Sequence, residues 1–502
     1  MTPTLVATIL IAYFVALIVM AYFTSRKADT TTFFTGNRQS PWYLVAFGMI
    51  GTSLSGVTFI SVPGKVYVEG MAYFQIVLGY IIGYIVIAQV LMPLYYRMNL
   101  VSIYEYLLER FGLVSYKTGA AFFILSRTLG SAMRLFLATK VLQLFLFDGL
   151  GVPYWVTALT TVALIWVYTF KGGIKTIVYT DAFQTIFLVG SVILCTIVIA
   201  NALDVNFMQL FDKISHTRTA TGQTMTTMFH FHDPDSALFF PKQFFGGIFI
   251  AIAMTGLDQD LMQKNLTCKS IGDARKNMYS FTAILVMVNF LFLLLGGALY
   301  VYAQQKGVDL PVNAKGMIVT DDVFPTLAFG EFGTWAGILF LLGVTASSYA
   351  SADSALTALT TGFCIDFLNF NRREEKEKNR YKLFVHIGFS LLFLLISLIM
   401  YVISSQDLIG LVLKVASYTY GPLLGLFFFG ILTKRSLKEV LVPVICLLAP
   451  TLCYILADHS AAWFGGYQFG FELLILNGVL TFSGLYLISK KPIVTPSLAE
   501  SV

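Results

Sequence analysis

Charge is scarce in this chain. Lys, Arg, Asp and Glu make up 12% of its residues, roughly half the share of a soluble globular domain. That shortage excludes a water-exposed fold of this length. Cysteine is scarce too: Cys195, Cys268, Cys364, Cys446 and Cys453 are an odd number, at spacings that suit neither a disulfide framework nor a metal site. Each reads as packing inside an apolar segment. Histidine occurs five times, and the pair His230 and His232 in HFHDPD lacks the further ligands that zinc needs, so no zinc site is expected. No HExxH occurs, and GTSLSG sets its second glycine one residue too far for a GxSxG nucleophile elbow. An enzyme is therefore not expected. Nucleic acid is a poor partner as well, because the net charge of +6 is spread over separate loops.

What the chain has is apolar surface: 57% hydrophobic residues, with 45 Phe. Apolar segments of about 20 residues recur along its length. About thirteen transmembrane helices are expected, starting near Pro3, Trp42, Met71, Tyr116, Pro153, Ile174, Gln243, Asn277, Trp335, Lys382, Asp407, Val440 and Phe471. The first lacks a basic start and a cleavage site, so it reads as a retained helix rather than a signal peptide. About 23 of the 33 basic residues fall in alternate connections: Arg26, Lys27, Arg38; Arg97, Arg110, Lys117; Lys171, Lys175; Lys264, Lys269, Arg275, Lys276; the run 372–382; Lys434, Arg435, Lys438; Lys490, Lys491. That asymmetry puts the N-terminus outside and the C-terminus in the cytoplasm, and thirteen spans agree with it. Interleaved glutamates make RREEKEKNRYK a solvated loop, with a lipid-binding patch as the alternative. VSIYEYLLERFG, with Ile103, Tyr106, Leu107 and Phe111 at helical spacing, reads as a short interfacial helix on the cytoplasmic face. The expectation is an all-α polytopic protein of the lipid bilayer: one membrane transport domain over 1–489 and a cytoplasmic tail over 490–502. The uncleaved, short-looped chain points to a bacterial inner membrane.

Two of the spans carry interruptions. MIGTSLSGVTFISVPG (49–64) starts apolar and then sets Gly51, Thr52, Ser53, Ser55, Gly56 and Thr58 at bilayer depth. FGGIFIAIAMTGLDQD is interrupted at Met254, Thr255 and Gly256. Backbone unwound inside hydrocarbon is tolerated only where it lines a cavity, and its freed carbonyls are hard ligands suited to a hard cation. Close packing of small residues is the competing role for the first stretch. The interruptions open two five-helix blocks, 42–203 and 243–432, as inverted repeats do in transporters. The helix over 3–24 and those over 439–489 lie outside the repeats. Ser347, Ser351 and Ser354 share one face of the span around GVTASSYASADS. Asp353 lies within that span and Asp181 within another, and intramembrane acids mark functional positions. Asp258 sits at the inner end of the second interrupted helix.

GGIKTIVYTDAFQTIFLVG, GLDQDLMQ, SYTYGPLLGLFFFGILTKR and the interrupted GTSLSGVTFISVPG together resemble the sodium/solute symporter family, and the span order fits throughout. The resemblance implies a LeuT-like fold and secondary active, sodium-coupled uptake of a small solute. It implies a sodium site from the carbonyls of Gly51, Leu54 and Ser347, with Ala350 and the Ser351 hydroxyl. This chain has Ala350 where the family usually carries a second hydroxyl. The resemblance also implies a second cation position at Asp181, Asp353 and Ser354. Pairing of Asp353 with Arg134 or Lys140 is the competing arrangement there.

The solute site is read from the residues. Arg134 lies near the middle of a span that also holds Arg127 and Lys140, and a buried guanidinium clamps a carboxylate bidentately. Ser53, Ser55, Thr58 and Gln75 supply further hydrogen bonds. An ion pair within the bundle is the competing role for Arg134. The expected solute is a monocarboxylate, an amino acid or a sialic-acid-like sugar acid. A proton-coupled carrier, or a passive facilitator of a neutral sugar, is the alternative. Nothing in the chain calls for a protein partner.

Overall fold

The computed structural model describes residues 3–26, 30–170, 172–313, 315–368, 370, 373–403 and 408–491. The expected features at Lys27, Lys171, Arg372, Asp407 and 492–502 lie outside them. The described chain is almost entirely helical, as apolar sequence in lipid requires: a helix pairs its own backbone groups, and lipid offers no other partner.

In chain order the helices are α1 (Pro3–Ser25), α2 (Trp42–Ser53), α3 (Gly56–Glu69), α4 (Phe74–Val86), α5 (Leu113–Leu142), α6 (Tyr154–Thr169), α7 (Gly173–Ala202) and α8 (Phe240–Ala251). They continue as α9 (Gln259–Leu266), α10 (Ile271–Lys306), α11 (Gly333–Leu368), α12 (Glu375–Ile403), α13 (Leu408–Thr419), α14 (Gly421–Leu432), α15 (Val442–Trp463) and α16 (Glu472–Ile488). Among the described residues eight helices are long and apolar enough to cross a membrane, or eleven when each of three bent pairs counts as one span. The expected spans from Pro153 and Phe471 correspond to α6 and α16, apolar helices of 16 and 17 residues.

Both expected interruptions are bends. α2 and α3 meet at 61°, with Leu54 and Ser55 as the joint. α8 runs through a π-helical turn at Ile252–Gly256 and meets α9 at 64°. The departure from helix therefore begins where expected, but the corner lies at Leu257 and Asp258, because Asp258 caps α9 by accepting the Asp260 N–H at 2.9 Å. A third bend, 43° between α13 and α14, was not expected. Its signal is Gly421-Pro422, since proline opens the second helix.

Three further details differ from expectation. The connection over 204–241 holds a helix, Phe207–His216, started by an Asn206/Gln209 capping box. The helix Glu105–Arg110 buries Tyr106 and Leu107 against protein, Leu107 beside Gly119 and Tyr106 beside Gly430, instead of laying them on a membrane surface. Lys264, expected in a cytoplasmic loop, is buried on α9. A two-residue antiparallel ladder, Ser436–Leu437 with Ser489–Lys490, is the one paired strand element among the described residues.

α2 packs into the groove between α7 and α11, and α3 packs on α10.

Candidate functional site

Small residues let α2 approach its neighbours closely. A Cβ on Gly51 would lie 2.7 Å from Thr185 Oγ1 on α7 and 3.4 Å from the Ala350 methyl on α11. A Cβ on Gly56 would strike the Ser348 hydroxyl. The Gly51 N–H donates to Thr185 Oγ1 at 3.0 Å, and that hydroxyl donates to the Asp181 carbonyl at 2.8 Å. At the joint the backbone leaves helical geometry, with ψ 79° at Leu54 and φ −68°, ψ 172° at Ser55, which turns the Leu54 carbonyl off the helix axis. The Ser351 hydroxyl is buried without a protein partner, as is that of Ser348. The Ser347 hydroxyl donates to the Val344 carbonyl at 3.0 Å, leaving its own carbonyl as the group to consider. Ala350 faces Gly51.

Each residue of the expected second cation position has a hydrogen-bond partner of its own. Asp181 Oδ2 accepts from the Thr52 hydroxyl at 2.8 Å and from the Lys264 ammonium, which also bonds Thr52 Oγ1. Asp353 Oδ2 accepts from the Tyr168 hydroxyl at 2.8 Å. The Ser354 hydroxyl donates to Asp260. Neither suggested base pairs with Asp353: Lys140 lies 3.6 Å from Asp322 near the end of its helix, and Arg134 has no acidic partner among the described residues.

A cavity of about 80 Å³ lies beside the joint. Ser53, Ser55, Thr58 and Arg134 all line it, as expected. Gln75 does not. Its amide is committed elsewhere, donating to the Leu238 carbonyl at 3.1 Å and accepting the His230 N–H at 3.1 Å, so it fastens the 204–241 connection instead of facing solute. Missed residues are Tyr84, Thr255 and Asn289. Asn289 Oδ1 is buried without a partner while its Nδ2 donates to the Leu285 carbonyl. A lone amide in the apolar run LVMVNFLFLLL was the available signal.

The cavity floor is ionic. Arg127 contacts Asp260 and lies 3.9 Å from Asp258, and Tyr420 donates to Asp258. All these groups are buried. On the opposite side, Tyr73 and Leu413 separate the cavity from a vestibule of about 580 Å³, whose walls include Lys65, Glu69, Lys414 and the 237–238 backbone.

This architecture has known counterparts. The profile described as Sodium:solute symporter family matches residues 33–439. The sodium/sialic acid symporter SiaT of Proteus mirabilis is 25% identical over 88% of this chain and 88% of its own. The sodium-coupled monocarboxylate transporter 2 of Mus musculus is 24% identical over 81% of this chain and 64% of its own. A solved Na+-coupled sialic acid symporter, in a substrate-bound outward-open state, superposes with a TM-score of 0.79 at 21% identity, covering 97% of this chain and 99% of that one. That likeness gives the fold, which is LeuT-like. With the profile covering more than three quarters of its length, the chain belongs to the sodium:solute symporter family.

Proposed function

We propose that this sodium-coupled symporter imports a compact organic solute bearing a carboxylate: a monocarboxylate, an amino acid or a sialic-acid-like sugar acid. One observation carries the proposal. Arg134 lines the central cavity with no salt bridge among the described residues, Asp258 acting on it only from beyond that distance, and a guanidinium in an apolar bundle is costly without a negative group beside it. A solute carboxylate supplies that group, and the planar fork of Arg binds it bidentately. Ser53, Ser55 and Thr58 stand around the same space for the rest of the solute. The solutes named for the two relatives, sialic acid and monocarboxylates, have a carboxylate in common.

Sodium binds at the α2–α3 joint in this reading, on the carbonyls of Gly51, Leu54 and Ser347 and the hydroxyl of Ser351, with Ala350 closing the shell. The turned Leu54 carbonyl and the unpartnered Ser351 hydroxyl support it. The chain crosses the membrane thirteen times, with the N-terminus outside, the C-terminus in the cytoplasm of a bacterial cell, and inverted repeats over 42–203 and 243–432. The helix over 3–24 and those over 439–489 flank the repeats. Bends of 61° and 64° in the first span of each block support that symmetry. The 204–241 connection and the vestibule then face outside.

A thermal-shift screen of the purified protein against monocarboxylates, amino acids, sialic acids and neutral sugars, with and without sodium, tests the proposal, because a ligand stabilises the state it binds. A carboxylate that stabilises only with sodium present supports it. Stabilisation by a neutral sugar alone, or stabilisation indifferent to sodium, overturns it.

A further inference from the structure

Lys264 is among the largest side chains fully buried in the protein, at 1% exposure. It arises from α9, beyond the bend of the second interrupted span. Its ammonium reaches across to the first interrupted span and to α7, where it meets Thr52 Oγ1 and Asp181 Oδ2. The Thr52 hydroxyl completes the triangle by donating to the same carboxylate oxygen at 2.8 Å. An ammonium is a compact, strongly hydrated point charge. Here its water is replaced by a carboxylate oxygen and a hydroxyl oxygen, the donor types that hold a hard metal cation.

We propose that the Lys264 ammonium is a cation carried by the chain itself in the second cation position, so that the protein binds one sodium, at the α2–α3 joint, and not two. This rests on the sodium-coupled reading above. Three contacts carry it. Asp181 Oδ2 is taken by Lys264 and Thr52. Ser354, a member of the expected second set, turns its hydroxyl to Asp260. Asp353, the third member, is held by Tyr168. The Asp181 oxygen that an ion would take is thus held by the ammonium, while the other two groups are engaged by Asp260 and Tyr168. The tether also makes the charge permanent: it cannot dissociate into the cytoplasm as a bound ion does, so it moves nothing and takes nothing from an ion gradient. Asp181 Oδ1 and Asp353 Oδ1 stay buried without partners. Removing the ammonium therefore leaves oxygens that a sodium ion can take.

Equilibrium binding of radiolabelled sodium to the purified full-length protein, with no solute present, counts the sites. The wild type is expected to bind one equivalent with a Hill coefficient near unity. Lys264→Gln is expected to bind a second equivalent, with a Hill coefficient above unity. Lys264→Gln with Asp181→Asn, which deletes both charges together and so spares the fold an unpaired buried carboxylate, is expected to return to one. Two equivalents in the wild type overturn the proposal, as does a folded Lys264→Gln protein that still binds only one. No sodium binding by the wild type is a different failure, which removes the sodium-coupled reading itself and this proposal with it.

Discussion

Arg127 and Arg134 stand seven residues apart on α5, two turns and about 10 Å along the same face, and their surroundings are opposite. Arg127 contacts Asp260, lies 3.9 Å from Asp258, and closes the floor of the central cavity. Arg134 looks into the same cavity with no acid beside it among the described residues. Each guanidinium needs negative charge in an apolar bundle. For Arg127 the chain supplies it, from the corner where α8 gives way to α9. For Arg134 whatever enters the cavity must supply it. In the proposed reading the difference separates a structural cation from a recognition cation, and the distinction lies in the partners, not in the side chain or its helix.

The comparison breaks most visibly at Arg127. Arg127→Ala strands Asp258 and Asp260 without their partner, and unfolding in detergent should register a loss of roughly 3–5 kcal/mol. Arg127→Met combined with Asp260→Leu should recover part of it, since Asp258, held by Tyr420, is then the one acid left without its guanidinium. A single variant as stable as the parent would erase the contrast. Arg134→Gln should raise the melting temperature of the solute-free protein, since it removes a costly buried charge, and weaken carboxylate binding by about 10- to 100-fold, the value of a charged hydrogen-bond pair. Titration of the stabilising solute from the screen reads this directly, and unchanged affinity would return Arg134 to a structural role. Ser351→Ala should raise the sodium concentration for half-maximal stabilisation by about 5- to 10-fold, one hydrogen-bond equivalent. Ser347→Ala should not, because the Ser347 hydroxyl is committed to Val344; equal effects would remove the distinction between a hydroxyl ligand and a carbonyl ligand.

The smallest effect is expected on the vestibule side. Burial holds the His230 imidazole, outside the membrane spans, below its ordinary value. The unfolded chain therefore takes up a proton first as pH falls through about 6.5. Stability contributed by the neutral ring is present above that pH and lost below it. Melting curves taken between about pH 7.5 and pH 5.5 should show a modest fall that His230→Gln reduces.

Much of this was legible in the sequence. GTSLSG announced the α2–α3 joint because clustered glycines lower the cost of leaving the helix, and hydroxyls beside them satisfy the backbone that is freed. Asp181 and Asp353 stood out as acids within spans. The family motifs set the order of helices. Lys264 was not legible, and the reason is physical: counting basic residues by connection treats every lysine near a span end as an orienting charge, and the bend at Asp258 draws this one back into the bundle. Gln75 misled in the reverse sense. A buried amide beside a span end suits a solute, but its partners are backbone groups 155 and 163 residues away, which no local pattern reveals. The fates of Arg127 and Arg134 were equally hidden, since only the folded chain brings Asp260 into a salt bridge with one and no acid into a salt bridge with the other.

α10 and α11 each run 36 residues, which at 1.5 Å per residue makes rods about 54 Å long in a hydrocarbon layer about 30 Å thick. Their ends stand well beyond the lipid even when tilted. A rod of that length pivoting about its centre by ~10° swings each tip by about 5 Å, the width of a small carboxylate, while groups near the pivot barely shift. On the proposed sodium site, serines at the middle of α11 would keep hold of an ion while the ends of the same helix sweep far enough to admit or release cargo, so that length alone would convert a slight rocking at the centre into passage at either surface.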